Sequence, residues 1–232
     1  MKQALRAAFP LTIPVMLGYL FVGIAFGVLY QQAGYGWPWA LLMSLTVYAG
    51  SMQFLAVTLF DGSFTLATVA LLTLLVNVRH LFYGLSFVER FRGMGRAKPY
   101  LIFSLTDETY SLLCGVRTPQ GVDPAKFCLC IAGLDQLYWI AGSVLGALVG
   151  AVLSFDTTGI DFAMTALFLV IATEQWMQTR RHLPCLLGGG MSLAALWLFG
   201  PDQMILPAML AMTAALLAIR RPMEAALEEE TE

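Results

Sequence analysis

Residues 69–86 read Val-Ala-Leu-Leu-Thr-Leu-Leu-Val-Asn-Val-Arg-His-Leu-Phe-Tyr-Gly-Leu-Ser. The stretch is long and apolar enough to cross a bilayer as a helix. Yet Asn77, Arg79 and His80 lie inside it. A cation held in hydrocarbon costs roughly 2.5–3.5 kcal/mol on insertion scales. The rest of the chain must therefore bring partners to Arg79, and such partners usually surround a substrate or ion path.

Apolar runs of similar length recur from end to end. The chain is 59% hydrophobic and only 12% charged, with a mean hydropathy of +0.74, where a soluble domain carries about 25% charged residues. This pattern predicts an all-α integral membrane protein, since barrel strands would show short alternating segments instead. No polar stretch is long enough to bury a soluble core. Residues 1–222 read as one polytopic domain and 223–232 as an acidic cytoplasmic tail. Cys114, Cys128, Cys130 and Cys185 show no CxxC spacing and read as small buried hydrophobes, so no metal site and no cofactor is expected. Nothing in the charge pattern predicts a nucleic-acid partner. Lys2 and Arg6 precede a segment that continues as a full span, unlike a cleavable signal peptide.

About seven transmembrane segments are expected. The first, Pro10 to Tyr30, contains Gly23 and Gly27 at GxxxG spacing, either a packing face or a chance of glycine-rich composition. The second, Pro38 to Phe60, has Tyr48-Ala49-Gly50-Ser51-Met52-Gln53-Phe54 at its middle. That is poor material for an unbroken lipid-facing helix; it suits a broken or re-entrant helix lining a cavity, or a continuous helix with a small-residue notch. Residues 64–86 and the short, acidic 100–116 follow. Then comes a long span at 127–153, with Gly142, Gly146 and Gly150 recurring every four residues. Further spans are expected at 162–177 (with Glu174 and Gln175 near its end), 183–199 and 203–219. The Leu20–Gly27 run echoes Leu137–Gly146 and suggests an internal repeat.

Lys and Arg cluster at the N-terminus and at 90–98, 117–126, 180–181 and 220–221; the turns at 31–37, 154–161 and 200–202 have none. The positive-inside rule then puts both termini in the cytoplasm. The first half conflicts with this rule. If 10–30, 38–60, 64–86 and 100–116 all cross, the cation-rich 90–98 loop lands outside. Either two segments, 38–60 and 100–116, are re-entrant or broken, or internal carboxylates override the rule.

Asp107, Glu108 and Asp135 are the intramembrane carboxylates available to Arg79. The simplest account pairs Arg79 with Asp107 or Glu108 around a polar cavity, as a transport site or as a helix tie. Asn77 and His80 share a helix face, as do Asp107 and Tyr110. His80 or a buried carboxyl could load and release a proton. The expected substrate and ion path comprises Tyr48, Gly50, Ser51, Gln53, Asn77, Arg79, His80, Asp107, Glu108, Tyr110, Asp135 and Gln136. A zwitterionic amino acid suits this inventory, with its carboxylate on half-helix N–H groups near Gly50-Ser51 and its ammonium toward Asp107 or Asp135. Gly23, Gly27, Gly142, Gly146 and Gly150 are the expected packing positions. A passive channel or scaffold subunit is a second reading. A membrane-embedded enzyme is a third, though no HExxH motif is present and His80 and His182 lie far apart.

Four motifs in order resemble the AzlC-type branched-chain amino acid exporters. They are Pro14 to Gly27, Tyr48 to Phe54, Asn77-Val78-Arg79-His80 with Tyr83 and Ser86, and Thr106-Asp107-Glu108-Thr109-Tyr110. The resemblance covers the first half of the chain; the later spans match in hydropathy and glycine content. It implies a bacterial inner-membrane exporter of valine, leucine, isoleucine and often methionine, driven by the proton gradient. It also implies a small, separately encoded membrane subunit of the AzlD type.

Overall fold

The computed structural model describes residues 1–60, 62, 64–152, 162, 165, 166, 169, 172, 173, 176, 177, 182–201 and 203–228, without the side chains of 205, 206 and 220–228. Most of the span expected at 162–177, including Glu174 and Gln175, lies outside the described residues, as do the 154–161 turn, Arg180-Arg181, Asp61, Ser63 and Asp202. The chain divides into two compact units, 1–165 and 166–232. Among the described residues all regular structure is helical.

The first unit holds α1 (Lys2–Gln32), α2 (Trp37–Thr46), α3 (Gly50–Leu59), α4 (Leu66–Ser86), α5 (Lys98–Phe103), α6 (Asp107–Gly115) and α7 (Pro124–Val152). Of these, α1, α4 and α7 are long and apolar enough to cross a membrane. α1 begins eight residues before the expected span and carries Pro10 and Pro14 inside it. Each proline removes one helical N–H. Thr12 lies between them, donating its hydroxyl to the Phe9 carbonyl at 2.9 Å and meeting the Tyr138 hydroxyl at 3.1 Å.

α1 and α7 run parallel, with successive residues of one meeting successive residues of the other. A Cβ on Gly23 would lie 3.1 Å from the Gly142 Cα; on Gly27, 2.6 Å from the Ala147 N; on Gly146, 2.7 Å from the Ile24 Cα; and on Gly150, 3.3 Å from the Val28 Cα. A side chain at Gly27 or Gly146 would overlap backbone, and one at Gly23 or Gly150 would press against it, so the two helices touch main chain to main chain. The two echoing sequence runs are thus the facing surfaces of a parallel pair.

The segments at 38–60 and 100–116 are both broken. α2 starts at the end of the unit where α1 finishes and descends until the Leu45 carbonyl meets Gln136 on α7. The chain then turns over Val47–Ala49, with Tyr48 at φ 42°. α3 climbs back, and Phe60 packs on Tyr30 and Tyr35. α4 runs the other way, from that end to Phe87. Phe87, Phe91, Leu113 and Phe127 share one apolar cluster with Ala4 and Ala8, and Met94, Ala97 and Val116 pack against it. Both ends of the α5–α6 segment therefore lie beside the N-terminus of α1. Its turn, Ser104–Thr106, lies deep in the unit, where Thr106 meets Tyr19 and Phe103 meets Tyr48. Two re-entrant hairpins enter from opposite ends and meet. Residues 90–98 and 117–123 thereby lie at the same end as Lys2 and Arg6, and the conflict with the positive-inside rule disappears.

In the second unit, α8 (Leu183–Phe199) and α9 (Ile205–Glu228) pack on each other, with Met212 Sδ over Gly188. α9 continues beyond the expected end at 219, and the tail is helical as far as Glu228.

Candidate functional site

α3 and α6 both begin at the meeting point of the hairpins, so two helix N-termini face the centre. α6 is capped in the ordinary way, the Thr106 hydroxyl accepting from the Thr109 N–H at 3.3 Å. Asp107 and Glu108 occupy its first turn, where the helix dipole favours negative charge. α3 differs: its N-cap, Ala49, offers no side-chain acceptor.

Arg79 reaches from α4 to both ends. Its guanidinium pairs with the Asp107 carboxylate at 2.9 Å and donates to the Ser51 hydroxyl. The Tyr83 hydroxyl donates to the other Asp107 oxygen at 2.6 Å. The paired side chains are 27% and 26% exposed, so the pair is not sealed in the core. Asp107 and Glu108, adjacent on the helix, have different partners: the Glu108 carboxyl meets the Tyr19 hydroxyl at 2.8 Å.

Deeper in, a second polar layer forms. Thr109 donates to Asp135 at 2.9 Å, and Asp135 is 0% exposed. Tyr100 donates to Gln136 at 2.8 Å, and Gln136 donates to the Leu45 carbonyl at 3.3 Å, anchoring the tip of α2. Trp139 donates to Gln53 at 2.8 Å, and Gln53 donates to Ser44 at 3.3 Å, tying α3 to α2 and α7. The ring of Trp139 also fills the space where a Cβ on Gly50 would stand. Tyr48 is buried within electrostatic reach of Asp135, Glu108 and Tyr100. Among the described residues its hydroxyl, one Asp135 oxygen and the Arg79 Nε have no hydrogen-bond partner.

The structure thus brings together Tyr48, Ser51, Arg79, Asp107, Glu108 and Asp135, with Gly50, Gln53 and Gln136 holding the hairpin tips. It does not gather the others equally. Asn77 turns its amide back to the Thr73 carbonyl at 3.0 Å. His80 stands edge-on to Tyr83, 5.8 Å between ring centroids, outside the ion pair. Tyr110 stacks on Tyr83 at 4.4 Å. Sequence reasoning missed Tyr19, Tyr83, Tyr100, Thr106, Thr109 and Trp139 as site residues. Tyr19, Tyr83, Thr106 and Thr109 belong to motifs that carried the family resemblance, a signal that could have found them; Trp139 lies in the echoing Leu137–Gly146 run, and Tyr100 had no such signal.

The first unit sets polar groups into an apolar core and leaves large apolar side chains exposed. Thr12, Ser44, Gln53, Thr106, Thr109 and Asp135 are buried, while Leu17, Phe21, Leu74 and Phe82 are exposed. Long apolar helices with apolar side chains exposed, and two segments broken at an ionic centre, define a multi-pass membrane protein.

The family model described as AzlC protein matches residues 14–153, the stretch that builds this site. The chain is 44% identical over 223 residues to the Branched-chain amino acid transport protein AzlC of Bacillus subtilis (strain 168), covering 96% of this chain and 88% of that protein. It is 42% identical over 222 residues to an uncharacterized membrane protein of Helicobacter pylori (strain ATCC 700392 / 26695), covering 96% and 97%. It is 27% identical over 205 residues to the Inner membrane protein YgaZ of Escherichia coli (strain K12), covering 84% and 82%. No solved structure matches it. The chain belongs to the AzlC family.

Proposed function

We propose that this protein is a secondary transporter that exports branched-chain and similar apolar amino acids (valine, leucine, isoleucine, methionine) by proton antiport, together with a small AzlD-type membrane subunit. One observation carries the reading. Two half-helices from opposite ends meet at an Arg79–Asp107 pair, beside an α3 N-terminus without a side-chain cap. Transporters use such half-helix N-termini to hold substrate carboxylates near mid-membrane. A substrate carboxylate would lie at Gly50-Ser51 within reach of Arg79, and its ammonium toward Asp107. The name of the Bacillus subtilis relative agrees with this substrate class.

The end that gathers Lys2, Arg6, residues 90–98 and residues 117–126 carries the cations, so by the positive-inside rule it faces the cytoplasm. The membrane would be the bacterial inner membrane. The test is efflux of labelled leucine from cells or vesicles with and without the small subunit. Asp107→Asn should slow efflux about tenfold or more at equal expression, since it leaves Arg79 charged without its counter-ion. Wild-type efflux in that variant removes Asp107 from the mechanism. Efflux equal to that of cells lacking this protein, and indifferent to an uncoupler, defeats the exporter reading.

A further inference from the structure

Between Glu108 and Asp135 the side chains form one unbroken line of oxygens. Glu108 Oε2 meets Tyr19 Oη at 2.8 Å, Tyr19 Oη meets Thr106 Oγ1 at 2.5 Å, Thr106 Oγ1 meets Thr109 Oγ1 at 3.1 Å, and Thr109 Oγ1 meets Asp135 Oδ2 at 2.9 Å. Four contacts need four hydrogens. The three hydroxyls supply three, because each carries one proton and an ionised carboxylate carries none. The fourth must come from one of the carboxyls.

We propose that Glu108 and Asp135 share one proton, and that the Tyr19–Thr106–Thr109 line is the wire along which it passes between them. In one state Glu108 is protonated and donates to Tyr19, Tyr19 to Thr106, Thr106 to Thr109, and Thr109 to an ionised Asp135. Transfer moves each hydrogen one oxygen along: Glu108 Oε2 loses a proton, Asp135 Oδ2 gains one, and each hydroxyl gives one proton and receives another. The hydrogen bonds then all point the other way. Only O–H bonds break and form, and no other reactant is required.

The charge balance agrees. The groups facing Glu108 are Tyr19 from α1, Arg79 and Tyr83 from α4, Asp107 beside it, Tyr48 from the hairpin turn and Asp135 from α7. Those facing Asp135 are Thr109 and Glu108 from α6, Tyr48, and Tyr100 from α5. The one cation among them, Arg79, is matched by Asp107. With both other carboxyls ionised, the buried Asp135 and the half-buried Glu108 would be anions without a counter-ion, a state that proteins avoid by protonation. The wire's outer end adjoins the Arg79–Asp107 pair, while its inner end lies by the Tyr48 hydroxyl and Asp135 Oδ1, which have no partner among the described residues. This inference rests on the proton-antiport reading for its role, though not for its existence.

Infrared spectroscopy of the full chain in lipid vesicles tests existence. A protonated-carboxyl C=O band should be present near neutral pH, vanish in the Glu108→Gln/Asp135→Asn double variant and survive in Asp107→Asn. Its absence in the wild type, or its survival in the double variant, overturns the proposal. The role is tested with a pH dye inside vesicles driven by a leucine gradient, the small subunit included. Tyr19→Phe cuts the wire, so the ratio of proton flux to leucine exchange should fall about tenfold or more. Thr109→Val should do the same and Thr109→Ser restore it. An unchanged ratio in both Tyr19→Phe and Thr109→Val also overturns the wire. If wild-type leucine movement carries no protons, the antiport reading fails by itself, and the infrared result still decides whether the proton is shared.

Discussion

Gly146→Ala tests the main-chain contact between α1 and α7. The added Cβ would stand 2.7 Å from the Ile24 Cα and closer still to the Ile24 carbonyl oxygen, where carbon atoms rest at about 3.5–4.0 Å. No rotamer change relieves a clash with backbone, so the helices must part by roughly 1 Å, and a gap of that size forfeits a quarter to a half of each neighbouring dispersion contact. The facing contacts Gly23–Gly142 and Gly27–Ala147 open with it. Overpacking of this kind costs about 1–3 kcal/mol, against a helix-propensity gain of up to about 1 kcal/mol for replacing glycine by alanine. The net loss should be about 1–2 kcal/mol, a fall in Tm of about 2–8 °C. The assay is thermal unfolding in detergent beside a control, Gly18→Ala. Gly18 lies in α1 too, but a Cβ there meets nothing within 4 Å, so the control should be neutral or slightly stabilised. Gly146→Ala as stable as Gly18→Ala would refute the close packing of α1 on α7.

Arg79→Gln and Asp107→Asn should each destabilise more than the double variant, with a coupling of about 0.5–3 kcal/mol; additive effects in unfolding assays would show that the pair is not formed. With the exposed Cys114 and Cys185 replaced, cysteines at Met94 and Gln120 should label from one side of the membrane and one at Gly34 from the other. Labelling of Met94→Cys and Gln120→Cys from opposite sides would exclude the re-entrant path of α5–α6. Outside the spans, Asp123 accepts from the Lys126 N–H at 3.0 Å, and this bond holds its carboxyl below the usual carboxylate range. A lowered folded-state value stabilises above the unfolded value of about 3.9 and is lost as pH falls through the folded one. Asp123→Ala should therefore lower the Tm at neutral pH, with the difference fading below about pH 3.9; a pH-independent difference would assign the effect to something other than the carboxylate.

What the sequence determined by itself is the set of properties local in the chain. Hydropathy over spans of about twenty residues marked α1, α4 and α7, because burial in lipid demands a continuous apolar run. Composition at Gly50-Ser51 raised the option of a break, since freed backbone groups need a polar surround. An Arg in hydrocarbon required a carboxylate, so Arg79, Asp107 and Glu108 were legible as a set. Tertiary structure alone decided which carboxylate Arg79 holds, because Asp107 and Glu108 differ by about 100° around α6 and only the positions of α1 and α4 send one to Tyr19 and the other to Arg79. It also decided that 38–60 and 100–116 double back instead of crossing: reversal depends on where each tip is caught, by Gln136 and Trp139 for one and by Tyr19 for the other. Those contacts join residues some 85 or more positions apart, and no spacing along the chain announces them.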